Sequence, residues 1–264
     1  MKIRWRPVLI LALLAQAALG LTGCGAQPPS HDAQRPSRDV QPPSRDVPIL
    51  LFNGTGTSPN DVKAIEAILT ERDLSYATVS SAQLDSMSQA DLMTHHLLIV
   101  PGGNFIDIGN ALAPSTMTSI HYAVEGGLNY LGICAGAFIA GHGKYRCFDL
   151  TSGVRFNFYS DESRGIRKAA VPITSADNEV LEQYWEDGPQ LSGWGDVVAK
   201  YPDGTPAVAQ GTCGKGCVIL SGVHPEAPAN WRRGMTFTTP TSADNAYAAS
   251  LIDAALNGMS LPHY

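Results

Sequence analysis

"YLGICAGAFIAG", residues 130–141, sets one cysteine between two glycines and between two kinds of apolar run. Tyr130, Leu131 and Ile133 read as the end of a buried strand. Ala135, Ala137, Phe138, Ile139 and Ala140 read as the start of a helix packed on it. Gly132 and Gly136 complete G-x-C-x-G, the spacing of a nucleophile elbow with sulfur in place of oxygen. A strand-to-helix turn of that sharpness leaves no room for a Cβ at the glycine positions. The helix start then turns backbone N–H groups towards Cys134. The same residues also fit a small buried cysteine at an ordinary strand–helix junction, so the decision passes to the rest of the chain.

Upstream, strand and helix patterns alternate. "PILLFNG" (48–54) is a short apolar run closed by Asn-Gly. Residues 58–72 open with Ser58 before Pro59 and with Asp61 three places on, a helix start, and Val62, Ile65, Ile68 and Leu69 follow at helical spacing. A strand is expected over 74–80, a weaker helix over 81–94, a fully apolar strand at 96–105 running into Pro-Gly-Gly, and a helix over 114–126. This rhythm predicts an α/β fold with a mostly parallel central sheet and helices on both faces. In such sheets the chemistry sits at the carboxyl ends of the strands, where Cys134 and Gly102–Gly103 fall. From about 145 to 220 the pattern changes to a β-rich half, with strands expected at 153–159, 168–174, 190–193, 196–201, 205–210 and 216–221. A closing helix is expected over 241–257, capped by Ser242 and ended by Gly258.

"VILSGVHPEAP" (218–228) supplies what a thiol nucleophile requires. His224 follows a strand end, and an imidazole there takes the thiol proton and returns one to a leaving amine. Glu226, two places on, is placed to fix the tautomer of that ring. Together, "LGICAGAFIAG", "PGGNF" and "GKGCVILSGVHPE" resemble the class I glutamine amidotransferase-like superfamily. Within it they most resemble the biotin–protein ligase N-terminal domain group, from about Pro48 to the end. The resemblance implies a flavodoxin-like fold with Cys134 as nucleophile, His224 as general base and acid, and Glu226 as its orienting carboxylate. It implies that the Gly102–Gly103 loop and Ala135 hold the oxyanion through backbone N–H groups. Ala137 and Phe138 stand where glutamine-binding members often carry glutamine or histidine. No ligase or synthetase domain follows in the 264 residues. The expected activity is therefore hydrolysis of a carboxamide or γ-glutamyl-type amide on a small molecule or peptide, or an amidotransferase-like reaction. A non-catalytic binding module that keeps the cleft is the alternative. No cofactor and no metal are expected.

The N-terminus reads as an export signal. Lys2, Arg4 and Arg6 precede an apolar stretch at 8–21, and "LTGC" (21–24) resembles a bacterial lipobox with Cys24 as the lipidated residue. Gly25 after it points to the outer membrane, at its periplasmic face. "QRPSRDV" (34–40) and "QPPSRDV" (41–47) are near-repeats with few apolar residues, so 24–47 is expected to be a disordered tether and 48–264 the domain. Without residues 1–23 the chain keeps 15 basic and 24 acidic side chains, a balance against nucleic-acid binding. Expected partners are the membrane, through Cys24, an amide substrate, and an unidentified envelope partner. Of the other cysteines, Cys213 and Cys217 flank a tight turn and are the pair expected to bridge in an oxidising compartment. "YWEDGPQLSGWG" (184–195) reads first as core aromatics of a hairpin, with a substrate rim as the other reading.

Overall fold

The computed structural model describes residues 43–44 and 47–264. The expected leader and Cys24 lie outside the described residues, as does the expected tether apart from residues 43, 44 and 47. The first half alternates as the sequence implies. β1 (Ile49–Phe52), α1 (Pro59–Glu71), β2 (Tyr76–Val79), α2 (Ser81–Ser86), α3 (Gln89–Leu92) and β3 (Leu97–Val100) come first. α4 (Phe105–Ala111), α5 (Pro114–Gly126), β4 (Asn129–Ile133) and α6 (Ala135–Ala140) follow. The second half holds β5 (Asn157–Phe158), α7 (Ser160–Ser163), β6 (Lys168–Ser175), β7 (Val180–Glu186), β8 (Pro189–Gln190), β9 (Asp196–Lys200), β10 (Pro206–Cys213), β11 (Gly216–Ser221) and α8 (Thr241–Asn257).

One nine-stranded sheet runs β2-β1-β3-β4-β11-β10-β9-β6-β7. β2, β1, β3, β4 and β11 are parallel neighbours, and β11 onwards is antiparallel. β5 and β8 form a separate short pair. Side chains alternate across the parallel strands, and both faces are apolar because both are covered. Ile49, Leu51, Leu97, Ile99, Leu131 and Ile219 face the core beneath α1 and α8. Leu50, Phe52, Leu98, Val100, Tyr130 and Leu220 face the other core, with Ile120 and Val124 of α5 and Ala137 and Ile139 of α6. Each face thus has its own helix layer, and neither can be exposed without opening a core.

The order β3-β4-β11 positions the chemistry. These three parallel strands lie side by side with β4 in the middle. Their carboxyl ends deliver Gly102–Gly103, Cys134 and His224 to one edge of the sheet.

Several expectations need correction. The helix cap on α8 is Pro240 rather than Ser242, which lies within the helix, while Gly258 does end it in the left-handed conformation. The Cys213–Cys217 bridge is absent, and both residues are free. In the β10–β11 ladder Cys217 pairs with Thr212 and Cys213 pairs with Gly216. The two thiols therefore leave opposite faces of the sheet, Cys217 into one core and Cys213 against the other. The strand expected at 190–193 is only the two residues of β8, and that expected at 153–159 only those of β5.

Candidate active site

Cys134 ends β4 and begins α6. Its backbone is strained, at φ 50° and ψ −102°, a conformation that non-glycine residues adopt at a cost and that lifts the side chain off the strand end. Its N–H donates to the Ser221 carbonyl at 2.8 Å, which ties the turn to the end of β11. Gly136 is needed because a Cβ there would lie 1.9 Å from the Val100 carbonyl oxygen. The helix can approach β3 only without a side chain at that place. The Cys134 thiol is buried, 6% exposed, and donates to the Glu186 carbonyl at 3.5 Å.

His224 sits just past β11, where it forms an isolated antiparallel β-bridge with Tyr184. Its N–H donates to the Tyr184 carbonyl at 2.8 Å, and its ring packs edge-on with those of Tyr184 and Trp231, 5.8 and 5.9 Å away. Nδ1 donates to Glu226 Oε1 at 2.9 Å. The turn at Pro225 lets the two side chains meet. With Nδ1 committed to carboxylate, Nε2 is the nitrogen left to exchange a proton with Cys134.

One carboxylate was read only as part of a helix start. Asp61 Oδ1 lies 3.1 Å from the same Nδ1. Asp61, His224 and Glu226 are 6%, 4% and 1% exposed. The clue available in sequence was an acid in the first turn of α1, whose amino end faces the strand ends. There the Asp61 N–H donates to Ser58 Oγ at 3.4 Å, and Ser58 in turn donates its N–H to the Gly102 carbonyl at 3.0 Å. Burial drives the His224 pKa down, but Glu226, Cys134 and Asp61 together outweigh it and hold the ring well above its ordinary value. Burial pushes the Glu226 carboxyl up against the pull of His224. Burial acts the same way on Asp61, yet the closeness of His224 and the Ser58 contact win and hold it below the usual value.

A cleft of about 430 Å³ opens over these groups. Cys134, His224, Asp61, Ser58 and Gly103 form its floor. Phe105, Phe138 and Phe158 form an aromatic wall, with ring centroids 4.8 Å apart at each step. Arg167, Glu186 and Asp187 stand opposite, and Arg167 is bound by Glu162 and Asp187. The stretch 184–195 therefore divides its roles: Tyr184 and Trp185 are buried core, while Glu186 and Asp187 face the cleft. Phe158 and Arg167 come from 157–167, which carried no decisive pattern in sequence. Asp61, His224 and Glu226 also present ligand-type atoms within 4.8 Å of one another. The contacts at Nδ1 account for that proximity, and we read the trio as a proton-holding group.

A solved structure shares this fold. Residues 47–167 match the family model described as biotin-protein ligase, N terminal. The solved structure of a glutamine amidotransferase aligns over 68% of this chain and 90% of its own, at 18% identity and a TM-score of 0.53. PurLQS from Thermotoga maritima aligns over 78% of this chain and 97% of its own, at 15% identity and a TM-score of 0.48. No curated protein sequence matches the chain. The protein thus has a glutamine amidotransferase-like α/β fold, and its segment 47–167 carries the pattern of the biotin–protein ligase N-terminal family.

Proposed function

We propose that this protein is a cysteine-dependent amide hydrolase of the amidotransferase-like fold, acting on a carboxamide or γ-glutamyl-type amide and anchored to the cell envelope through lipid on Cys24. The observation that carries the reading is the strained elbow of Cys134 beside a buried histidine whose Nδ1 is held by Glu226. A packing cysteine has no need of a φ near 50° or of a buried, carboxylate-bound imidazole next to it.

The chemistry follows from these groups. The Cys134 proton passes to His224 before the attack, and the sulfur held beside the charged ring then adds to the amide carbon. Oxygen charge on the tetrahedral intermediate is met by the backbone N–H groups of Gly103 and Ala135, with Gly102 shaping that loop. His224 returns the proton to the departing nitrogen, the C–N bond breaks, and an amine or ammonia leaves with a thioester on Cys134. Water then attacks the thioester, giving its proton to His224, and the acid is released with the thiol restored. Glu226 keeps the ring in the tautomer that makes both transfers through Nε2.

The test is selective alkylation. The other three described thiols are all raised by burial, Cys147 to about 11, so they should be sluggish near neutrality. A glutamine-like chloroketone should modify Cys134 at least about tenfold faster than Cys147, with His224→Gln abolishing the difference. Equal rates at the two thiols would overturn the reading.

The Cys134 thiol's bond to the Glu186 carbonyl favours a second reading, a binding module in which the cleft holds a ligand without turnover. That reading requires Cys134→Ser to keep the biological function.

A further inference from the structure

Asp61 is the group in the site that the triad leaves unexplained. A single Nδ1–H makes one well-aligned hydrogen bond, and Glu226 takes it. Asp61 Oδ1 lies 3.1 Å from that nitrogen but off the donor direction, and it has no hydrogen-bond partner of its own. A buried carboxylate oxygen without a partner is costly unless a charge faces it. The neighbours of His224 leave that charge to the ring. Cys134 and Glu226 are acids, Tyr184 gives its O–H to Glu186, and Trp231 carries no charge. An imidazolium is therefore the partner the site offers Asp61.

The backbone is built around the same contact. A Cβ on Gly102 would fall 2.1 Å from Asp61 Oδ1 and 2.7 Å from His224 Cε1. The loop after β3 thus runs without a side chain where the carboxylate meets the ring. Ser58 holds the amino end of α1 to that loop, so Asp61 is delivered by two bonds that do not involve His224.

We propose that Asp61 is a positioning residue of the site, a second carboxylate that fixes the charge of the His224 ring while Glu226 fixes its orientation. This rests on the reading of Cys134 and His224 as nucleophile and base. It adds a division of labour between two acids: Glu226 accepts the ring proton, and Asp61 acts at close range through its charge.

The two roles separate in a histidine titration followed by nitrogen NMR on the full chain, with His224 identified by the loss of its signal in His224→Gln. Asp61→Asn keeps the side-chain shape and the backbone bond to Ser58 while removing the charge. It should lower the midpoint of His224 by about one pH unit or more. The low-field Nδ1 proton donated to Glu226 should persist in Asp61→Asn and disappear in Glu226→Gln. Asp61→Ser, a smaller neutral variant, should lower the midpoint in the same direction and guards against a local packing fault in the first. An unchanged midpoint in both neutral variants would overturn the proposal and leave Asp61 as a helix-start residue. A lowered midpoint in a protein whose Cys134 is no more reactive than Cys147 would sustain Asp61 and instead sink the nucleophile reading.

Discussion

Burial alone would strip His224 of its proton, yet the groups around it restore the charge, so its protonation contributes to folding as well as to chemistry. The sign is fixed by the direction of the shift. A histidine raised above its unfolded value binds its proton more tightly in the folded chain. Its stabilising contribution is complete below the unfolded value near 6.5 and is lost as pH rises through the folded one. His224→Asn should therefore cost on the order of 3 kcal/mol near pH 6, as expected when one partner of a buried charged group is removed. The gap to the wild type should narrow on moving to about pH 9. Urea midpoints at the two pH values measure it, and a gap that widens with pH would contradict the assignment of charge to this ring. The same residue scale explains why the site was only partly legible. Cys134 and His224–Glu226 stand in short motifs whose glycines and proline prescribe a turn. Asp61 has no such marker, because an acid in the first turn of a helix is expected for reasons of capping alone. Only the fold brings it 3.1 Å from a histidine 163 positions away in number.

Elements whose apolar spacing is regular were readable, while β7, whose buried face carries a glutamine, was not. β1, β3 and β4 are continuous or nearly continuous apolar runs, as covered parallel strands require. β7, "VLEQYWE", was missed as a strand because Gln183 interrupts its alternation. Yet Gln183 is wholly buried and donates to Asp244 at 3.0 Å, and Arg232 binds the same carboxylate. That network joins β7 to α8, and a lone glutamine in sequence does not announce a partner 61 places away. α4 was missed for a different reason. It is seven residues long and contains Gly109, where a Cβ would come within 2.5 Å of the Arg146 carbonyl oxygen. The β10–β11 hairpin gave the opposite error, since two cysteines flanking a tight turn suggested a bridge that the register forbids. Alkylation of the unfolded, unreduced protein followed by peptide mass mapping should find Cys213 and Cys217 each singly modified. A recovered Cys213–Cys217 disulfide peptide would mean the hairpin pairs one residue out of the register described here.

For the molecule as a whole, the question is where the domain starts and what the residues before it contribute. β1 lies between β2 and β3, so it is an interior strand with pairing on both sides. Pro48 already belongs to this unit, because its carbonyl accepts from the N–H groups of His96 and Leu97. The Val47 carbonyl meets His95 Nδ1 at 2.6 Å. A chain begun at Val47 should therefore fold with Cys134 as reactive as in the full-length protein, while one begun at Leu51 loses half of β1. Loss of two buried residues from an interior strand, Ile49 and Leu50, removes about 2–5 kcal/mol each, enough to unfold most domains of this size. In the proposed envelope anchoring, Cys24→Ala should move the protein out of the membrane fraction without changing Cys134 alkylation, since the floor of the cleft is drawn from residues 58 onwards. Comparing the Val47 start, the Leu51 start and Cys24→Ala separates folding from attachment. Impaired folding or reactivity in the Val47 chain would show that residues before it belong to the domain. Unchanged membrane association of Cys24→Ala would remove the lipid from the proposal and leave the site untouched.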